Sequence, residues 1–485
     1  MVCFSACSHL IEVHLSSRVS ATNCARNYTL STRRAPNLPI DWVHLELDVD
    51  DVWNAFFLHT LLNQQEERKQ TLVLHHRGYT QCERLLVAIR DENARVVGTG
   101  QEHWNHVCNK CCWVYEKEGV QCECYRCLGL CVHVSPVSCG FLDELRSVVV
   151  NGVTVGHPCC SEHDCPIPLQ SSRDRYCPAH AHLSNLCVAI SCNEIAEESF
   201  KTCTHPDHRS LEAKYNMASK AMFQLRHRLE RVNRQTHDSL PTDFASGSDS
   251  FEGSGVQHDQ EVEITADDCG GKLSSGNQIV RARFGRRRTH NDELCVASCG
   301  VILGRTTFYG SEAPSAVRVC FFQFTLPSTW FMVHTQAFLM DLFPTQRSLP
   351  GVIWYDNNCK LYSMLRNDKD PYLRHYFDRC ALPVDVFHYK TKHKESDIDC
   401  GKNCNPYKWP ELRIDDKEWR FNSSAAEQVN AWYGWFQAIV REMQVDRYNF
   451  FLNEMVKRRN RLVVEDLRRK GLQPCSYVRG HLLLM

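Results

Sequence analysis

The chain has 485 residues, enough for two or three separately packed cores. Hydrophobic residues make up 43% and charged residues 23%, the proportions of an ordinary globular protein, which exclude a disordered or membrane class. The formal net charge is −1, so bulk charge names no partner, and any nucleic-acid surface must come from local clusters of Arg and Lys.

Residues 1–20 lack a basic stretch followed by an apolar core and do not read as a secretory signal. The most apolar stretch, residues 317–342, is broken by Arg318, Gln323, Pro327, His334 and Gln336. It falls short of the ~18 uninterrupted apolar residues of a membrane span, so no membrane contact is expected. The expected compartment is the cytosol or nucleus, where thiols stay reduced. There the 28 Cys and 24 His read as metal ligands rather than as a disulfide framework.

Residues 1–107 form an α+β segment, with helical apolar spacing over 52–62 and a strand-like run at 71–74. Residues 108–210 are dense in Cys and His. Residues 211–236 read as a helix with one apolar stripe of Leu211, Tyr215, Met222, Leu225 and Leu229. Residues 237–280 are rich in Ser, Gly and Asp and read as a disordered linker. The region 281–470 then alternates strands (294–303, 317–324, 351–356 and 384–387) with helices near 330–343 and from 424 to about 461. This is an α/β layer pattern.

The clearest motif is an internal repeat, Cys160-x4-Cys165-x11-Cys177-x2-His180 followed by Cys187-x4-Cys192-x10-Cys203-x4-His208. Each unit supplies three thiolates and one imidazole, the closed set that gives Zn²⁺ four tetrahedral ligands and leaves no position for water. The competing reading is a run of buried free cysteines. His163, His182 and His205 are alternative ligands within the sets. A third candidate is His388-x4-His393-x6-Cys400-x3-Cys404, and a fourth is Cys108-x2-Cys111, which has His106 just before it but needs a distant fourth ligand. The run Cys122, Cys124, Cys127, Cys131 and Cys139 is given no role.

The string from Asn151 to Cys160 (Asn-Gly-Val-Thr-Val-Gly-His-Pro-Cys-Cys), the repeat after it, and Trp354-Tyr-Asp-Asn-Asn-Cys359 resemble the CxC-type cysteine clusters associated with Kyakuja-Dileera-Zisupton (KDZ) transposases of fungi. The similarity continues through Asp385-Val-Phe-His388 to Cys404 and through Asn422-Ser-Ser-Ala-Ala-Glu427-Gln-Val-Asn430. It covers residues 100–210 and 285–460, with a weaker trace at 20–26. The resemblance implies an RNase H-like domain interrupted after its first strand by a zinc-binding insertion, a DDE/D carboxylate triad, DNA as partner and the nucleus as location. Strand transfer on DNA needs two Mg²⁺ ions clamped by carboxylates, one activating the attacking oxygen and one stabilising the leaving oxygen.

The resemblance makes Asp356 the second carboxylate and Glu427 the third. At the first position this sequence has Asn151 where the family pattern has Asp, so one negative charge and one anionic ligand are missing and the activity is expected to be weakened. Each candidate also has a plainer reading. Ser424-x-x-Glu427 is a helix capping box, and Asp356 is a turn former beside Asn357 and Asn358. Arg281, Arg283, Arg286, Arg287 and Arg288 either track DNA phosphates or form a solvated or targeting run. Two functions therefore stand: a degenerate transposase-derived protein, or a non-catalytic zinc-stabilised binder of DNA or chromatin. Convergence of Asn151, Asp356 and Glu427 would favour the first.

Overall fold

The computed structural model describes residues 22–23, 25–26, 48–74, 81–116, 142–162, 164–190, 192–217, 261–264, 280–310, 334–392 and 399–484. Several expectations lie outside the described residues: His163, His393, the cysteines between 122 and 139, the run at 317–324, residues 218–236 and most of the linker. The chain divides into two units, one formed by residues 1–157 with 289–485 and the other by residues 158–288.

In the first unit, α1 (Val49–Glu67) begins at Asp48, whose carboxylate accepts from Asp51 N while Asp51 returns the bond. This capping box satisfies two backbone donors that the helix start leaves free. Its Val52, Phe56, Phe57 and Leu61 are buried with Leu85 and Ile89 of α2 (Gln81–Val96). β1 (Cys112–Glu116) pairs antiparallel with the first half of β2 (Leu142–Val153). Further along, β2 pairs antiparallel with β3 (Asn291–Ala297), Val150 opposite Cys295. β3 turns back into β4 (Ile302–Phe308). After α3 (His334–Leu342), β5 (Val352–Tyr355) runs parallel to β2, Val148 opposite Ile353. The sheet thus has five strands, β1, β2, β3 and β4 antiparallel in that order with β5 parallel to β2.

Alternation along β2 explains why both faces are covered. Val149 joins one core, with Leu294, Val296 and Trp354, while Val148 and Val150 join another, with Cys295, Ile353 and Tyr355. A strand buried on both sides reads as a continuous apolar run. The first face packs α1, α2, α6 (Ala425–Tyr433) and much of α7 (Val445–Arg469). The second packs α3 and α4 (Asn358–Asn367). Each fully buried Phe or Leu contributes roughly 1.5–3 kcal/mol.

Three local expectations are corrected. Residues 71–74 form no strand, and Leu72 and Leu74 pack on the core without a ladder partner. Residues 384–387 form no strand: 384 and 385 lie outside regular structure and Val386 opens a helix, α5 (Val386–Lys392), capped by Asp385, which accepts from the backbone N of Phe387 and His388. The single helix expected over 424–461 is broken: α6 stops at Tyr433, the turn Gly434–Phe436 and a short helix Gln437–Val440 follow, and α7 restarts after extended Gln444. Tyr433, Phe436, Val440 and Phe451 all face one core, so the apolar period carries across the break and hides it.

Among its described residues the second unit has a 3₁₀ segment Pro178–Asn185, a helix over 206–217 and a strand pair. Within the stretch read as a linker, Glu261–Ile264 pairs antiparallel with Val280–Arg283, as the alternation of Val262 and Ile264 allows. No helix among the described residues is long and apolar enough to cross a membrane.

Candidate functional site

The repeat assembles as two four-ligand groups. Cys160, Cys165, Cys177 and His180 place their ligand atoms within 4.8 Å of one another, as do Cys187, Cys192, Cys203 and His208. A tetrahedral zinc with Zn–S of ~2.3 Å and Zn–N of ~2.0–2.1 Å has ligand-to-ligand edges of roughly 3.5–3.8 Å. In the first group Cys165 Sγ lies 3.7 Å from Cys177 Sγ, and His180 Nδ1 lies 3.5 Å from Cys160 Sγ and 3.3 Å from Cys177 Sγ. In the second, Cys192 Sγ is 4.0 Å from Cys203 Sγ, and His208 Nδ1 is 3.6 Å from Cys187 Sγ and 3.2 Å from Cys203 Sγ. These groups could hold a metal ion such as zinc. His180 and His208 are the imidazoles that reach the thiols, ahead of His182 and His205.

Local structure aims the ligands. Cys177 precedes Pro178 at the start of the 3₁₀ segment, and His180 follows one turn later. In the second group the Glu212 carboxylate accepts from Lys201 N at 3.0 Å and Thr202 Oγ1 at 2.6 Å, which fixes the loop carrying Cys203. Leu211, on the expected apolar stripe, is fully buried against Cys187 and Cys203. Burial pushes the Cys165 thiol up to about 12 and the Cys187 thiol up to about 11, and lowers His208. Without a cation these groups are neutral, so metal binding must expel protons.

A second constellation lies in the first unit. Asp356 follows β5 at a turn pinned by buried Asn358, whose Nδ2 donates to the carbonyls of Ile353 and Pro383 at 2.7 Å each. Asp385 opens α5 and so sets His388 in its first turn. Glu427 is in the first turn of α6. His388 Nδ1 stands 3.1 Å from Asp356 Oδ1, 3.3 Å from Asp385 Oδ2 and 3.6 Å from Glu427 Oε1. That nitrogen is buried, yet it makes no aligned hydrogen bond among the described residues. Asp356, Asp385 and His388 thus place their ligand atoms within 4.8 Å of one another, and Glu427 reaches the same imidazole nitrogen from α6.

Ser424 gives α6 no side-chain cap; its hydroxyl points to Asp385 Oδ1 at 3.4 Å. The capping-box reading of Glu427 is therefore not realised. Asn151 comes one position after Val150, which pairs with Tyr355, just as Asp356 comes one position after Tyr355. Asn430, one turn beyond Glu427, donates through Nδ2 to Asn151 Oδ1 at 3.3 Å and to Gly152 O at 3.1 Å. Asn151 and Asp356 thus follow paired residues of adjacent strands, and Asn151 contacts the helix that carries Glu427.

Other expectations come out differently. His388 faces the carboxylates, whereas Cys400 and Cys404 are buried with Val384 and Tyr389, against Cys359, Tyr362 and Tyr407. Among the described residues His388 thus groups with Asp356 and Asp385 rather than with Cys400 and Cys404, and His393 lies outside the described residues. Cys108 and Cys111, by contrast, do gather with His106 in the first unit, and Cys299 supplies the distant fourth ligand they needed. Arg286 and Arg287 donate to the carbonyls of Ser172 and Glu162, so two of the five clustered arginines brace the second unit. Sequence reasoning gave no role of their own to Asp385, Asn430 and Cys299. Asp385-x2-His388 carries the spacing of a helix N-cap, which is the signal that was available for the first.

The second unit is thus a module built on two closed Cys₃His groups. Residues 149–214 match the family model described as a CxC6-like cysteine cluster associated with KDZ transposases. That stretch runs from the end of β2 through both groups. No curated protein matches the chain, and neither does any solved structure.

Proposed function

We propose that the chain is a transposase-derived protein of KDZ type, an RNase H-like nucleotidyl-transfer domain interrupted by a structural zinc module, with its catalytic metal site weakened at Asn151. The observation that carries this reading is the approach of Asp356, Asp385 and Glu427 to a single point at His388 Nδ1. Asp356 and Asp385 hold ligand atoms within 4.8 Å of each other and of His388, an arrangement that a cation stabilises against like-charge repulsion. The sheet order adds support: a meander of β2, β3 and β4 with β5 parallel to β2 carries the candidate residues at the ends of adjacent strands. The family match across the inserted cysteine cluster points the same way.

Mg²⁺ or Mn²⁺ held by Asp356, Asp385 and Glu427 would supply Lewis-acid stabilisation of charge on phosphodiester oxygens. The imidazole of His388 adds a nitrogen donor that suits Mn²⁺ better than Mg²⁺. Asn151 offers a carbonyl oxygen but no charge, which lowers affinity for a hard divalent ion. DNA is the substrate class this site would serve, and the nucleus is where it would meet it. A non-catalytic zinc-stabilised binder of DNA or chromatin is the second reading, and Asn151 is the observation that favours it. Electron paramagnetic resonance of the zinc-loaded chain titrated with Mn²⁺ tests the proposal. Binding by the parent that is lost in Asp356→Ala and in Glu427→Gln supports it; equal Mn²⁺ uptake by all three removes the carboxylate site.

A further inference from the structure

His106, Cys108 and Cys111 lie just ahead of β1, and Cys299 lies in the turn between β3 and β4. Although His106 and Cys299 are 193 positions apart, Cys299 Sγ lies 3.3 Å from His106 Nε2. Cys108 Sγ lies 3.7 Å from Cys111 Sγ, and the four ligand atoms all fall within 4.8 Å of one another. We propose that these four residues bind a third zinc ion, a structural staple that fastens the β3–β4 turn to the segment ahead of β1.

The chemistry is that of a closed site: three sulfurs and one nitrogen at tetrahedral edge lengths leave no position for water or substrate. Backbone geometry prepares it. The N–H groups of Cys111 and Cys112 both donate to Cys108 O at 3.0 Å, a tight turn that brings the two Cys-x2-Cys thiols to one side. His106 and Val107 are strand-paired with Ser476 and Cys475, and Asn109 N donates to Leu472 O. On the opposite side, Gly300 at φ +93° turns the hairpin, and its carbonyl accepts from Arg459 Nη1 at 2.7 Å. The two ligand-bearing segments are thus positioned by contacts other than their own, so little ordering is left for the metal to impose. His106, Cys108 and Cys111 are buried. The alternative, thiols packed merely as small apolar groups, gives no reason for an imidazole nitrogen and three sulfurs to converge. Cys295, fully buried in β3, belongs to no such group.

A metal bond here closes a very long chain loop, where cross-links remove the most entropy from the unfolded state. It also acts beside the sheet centre. Next to Cys299, Ser298 Oγ lies 2.7 Å from Ser147 Oγ of β2, which in turn accepts from Trp354 Nε1 of β5 at 3.0 Å. The staple therefore secures the turn from which β2, β3 and β5 are tied together.

Native mass spectrometry of the full chain, joined with chelator-dependent thiol alkylation, tests this. The expected result is three zinc ions per chain in the parent, two in Cys299→Ser and three again in Cys299→His. In the parent, Cys108, Cys111 and Cys299 should resist alkylation until a chelator is added and then be labelled together, while Cys295 stays protected as a report on the intact core. Two zinc ions in the parent, three retained in Cys299→Ser, or labelling of these thiols unchanged by chelation while Cys160 and Cys187 become reactive, would each overturn the staple. Because the alkylation arm uses the parent chain, misfolding of a variant does not blunt the test.

Discussion

The side-chain amide of Asn430 donates to Oδ1 of Asn151 at 3.3 Å, one helical turn from Glu427. The contact joins β2 to α6, the helix that carries Glu427, and Asp at this position would keep the same acceptor oxygen. Asn151→Asp should therefore fold, lower the metal-free Tm through added like-charge repulsion, and raise Mn²⁺ affinity by about tenfold, ~1.4 kcal/mol. Differential scanning calorimetry of the metal-free proteins reads the first change and calorimetric titration with Mn²⁺ the second. An unchanged Mn²⁺ affinity would separate residue 151 from the metal site.

His388 Nδ1 contributes the only nitrogen among the described donors of that cluster. His388→Gln should reduce Mn²⁺ affinity more than Mg²⁺ affinity, because imidazole stabilises the softer ion preferentially. Competition titrations should show the Mn²⁺ over Mg²⁺ preference falling by about tenfold, on the order of 1.4 kcal/mol. A parallel loss of both ions would mean that His388 only positions the carboxylates.

Between β3 and β4, Arg305 and Asp292 form a buried ion pair at 2.9 Å, and Tyr433 Oη donates to the same carboxylate at 2.5 Å. Removing one member leaves an uncompensated buried charge. Asp292→Ala should cost about 3–5 kcal/mol in chemical denaturation, whereas Tyr433→Phe, which deletes one hydrogen bond to a charged group, should cost about 1.5–3 kcal/mol. A cost below 1 kcal/mol for Asp292→Ala would show that water relieves the pair.

In the second unit, among the described residues, the apolar clusters around the two Cys₃His groups hold a few residues each, such as Leu211, Ala282 and Phe284. Structural zinc in small modules contributes apparent binding free energies of about 10–16 kcal/mol at neutral pH. Chelation should unfold this unit first, and Cys160→Ser or Cys203→Ser should each remove one zinc ion. Limited proteolysis with zinc quantitation reads both; cleavage within 158–217 that is indifferent to chelator would contradict the structural role.

Much of this was legible before the structure because ligand chemistry leaves local marks. The two Cys₃His sets fall within single stretches, and the order of thiols and imidazole along the chain matches their arrangement in space. The strand ending at Asp356 was equally plain from its apolar run. What escaped was set by long-range geometry. Cys299 meets His106 across 193 positions, and no spacing rule reaches that far. His388 was read with Cys400 and Cys404 because they are close in sequence, yet Asp385 caps α5 and turns the imidazole toward Asp356 and Glu427 instead. The break between α6 and α7 was invisible because Tyr433, Phe436 and Phe451 serve one core from both sides of it.

The most direct measurement of the central claim is nicking and joining of plasmid DNA in Mg²⁺ and in Mn²⁺ by the parent, Asn151→Asp, and Asn151→Asp combined with Asp356→Ala. Two-metal chemistry depends on carboxylates holding the ions together, so one missing ligand can cost more in rate than in affinity. The account predicts that the single variant nicks or joins DNA above the parent and that the double variant does not. All three equally inert on DNA, with Asn151→Asp binding metal no better than the parent, would contradict the catalytic ancestry of the site and leave the zinc-stabilised binder as the better description.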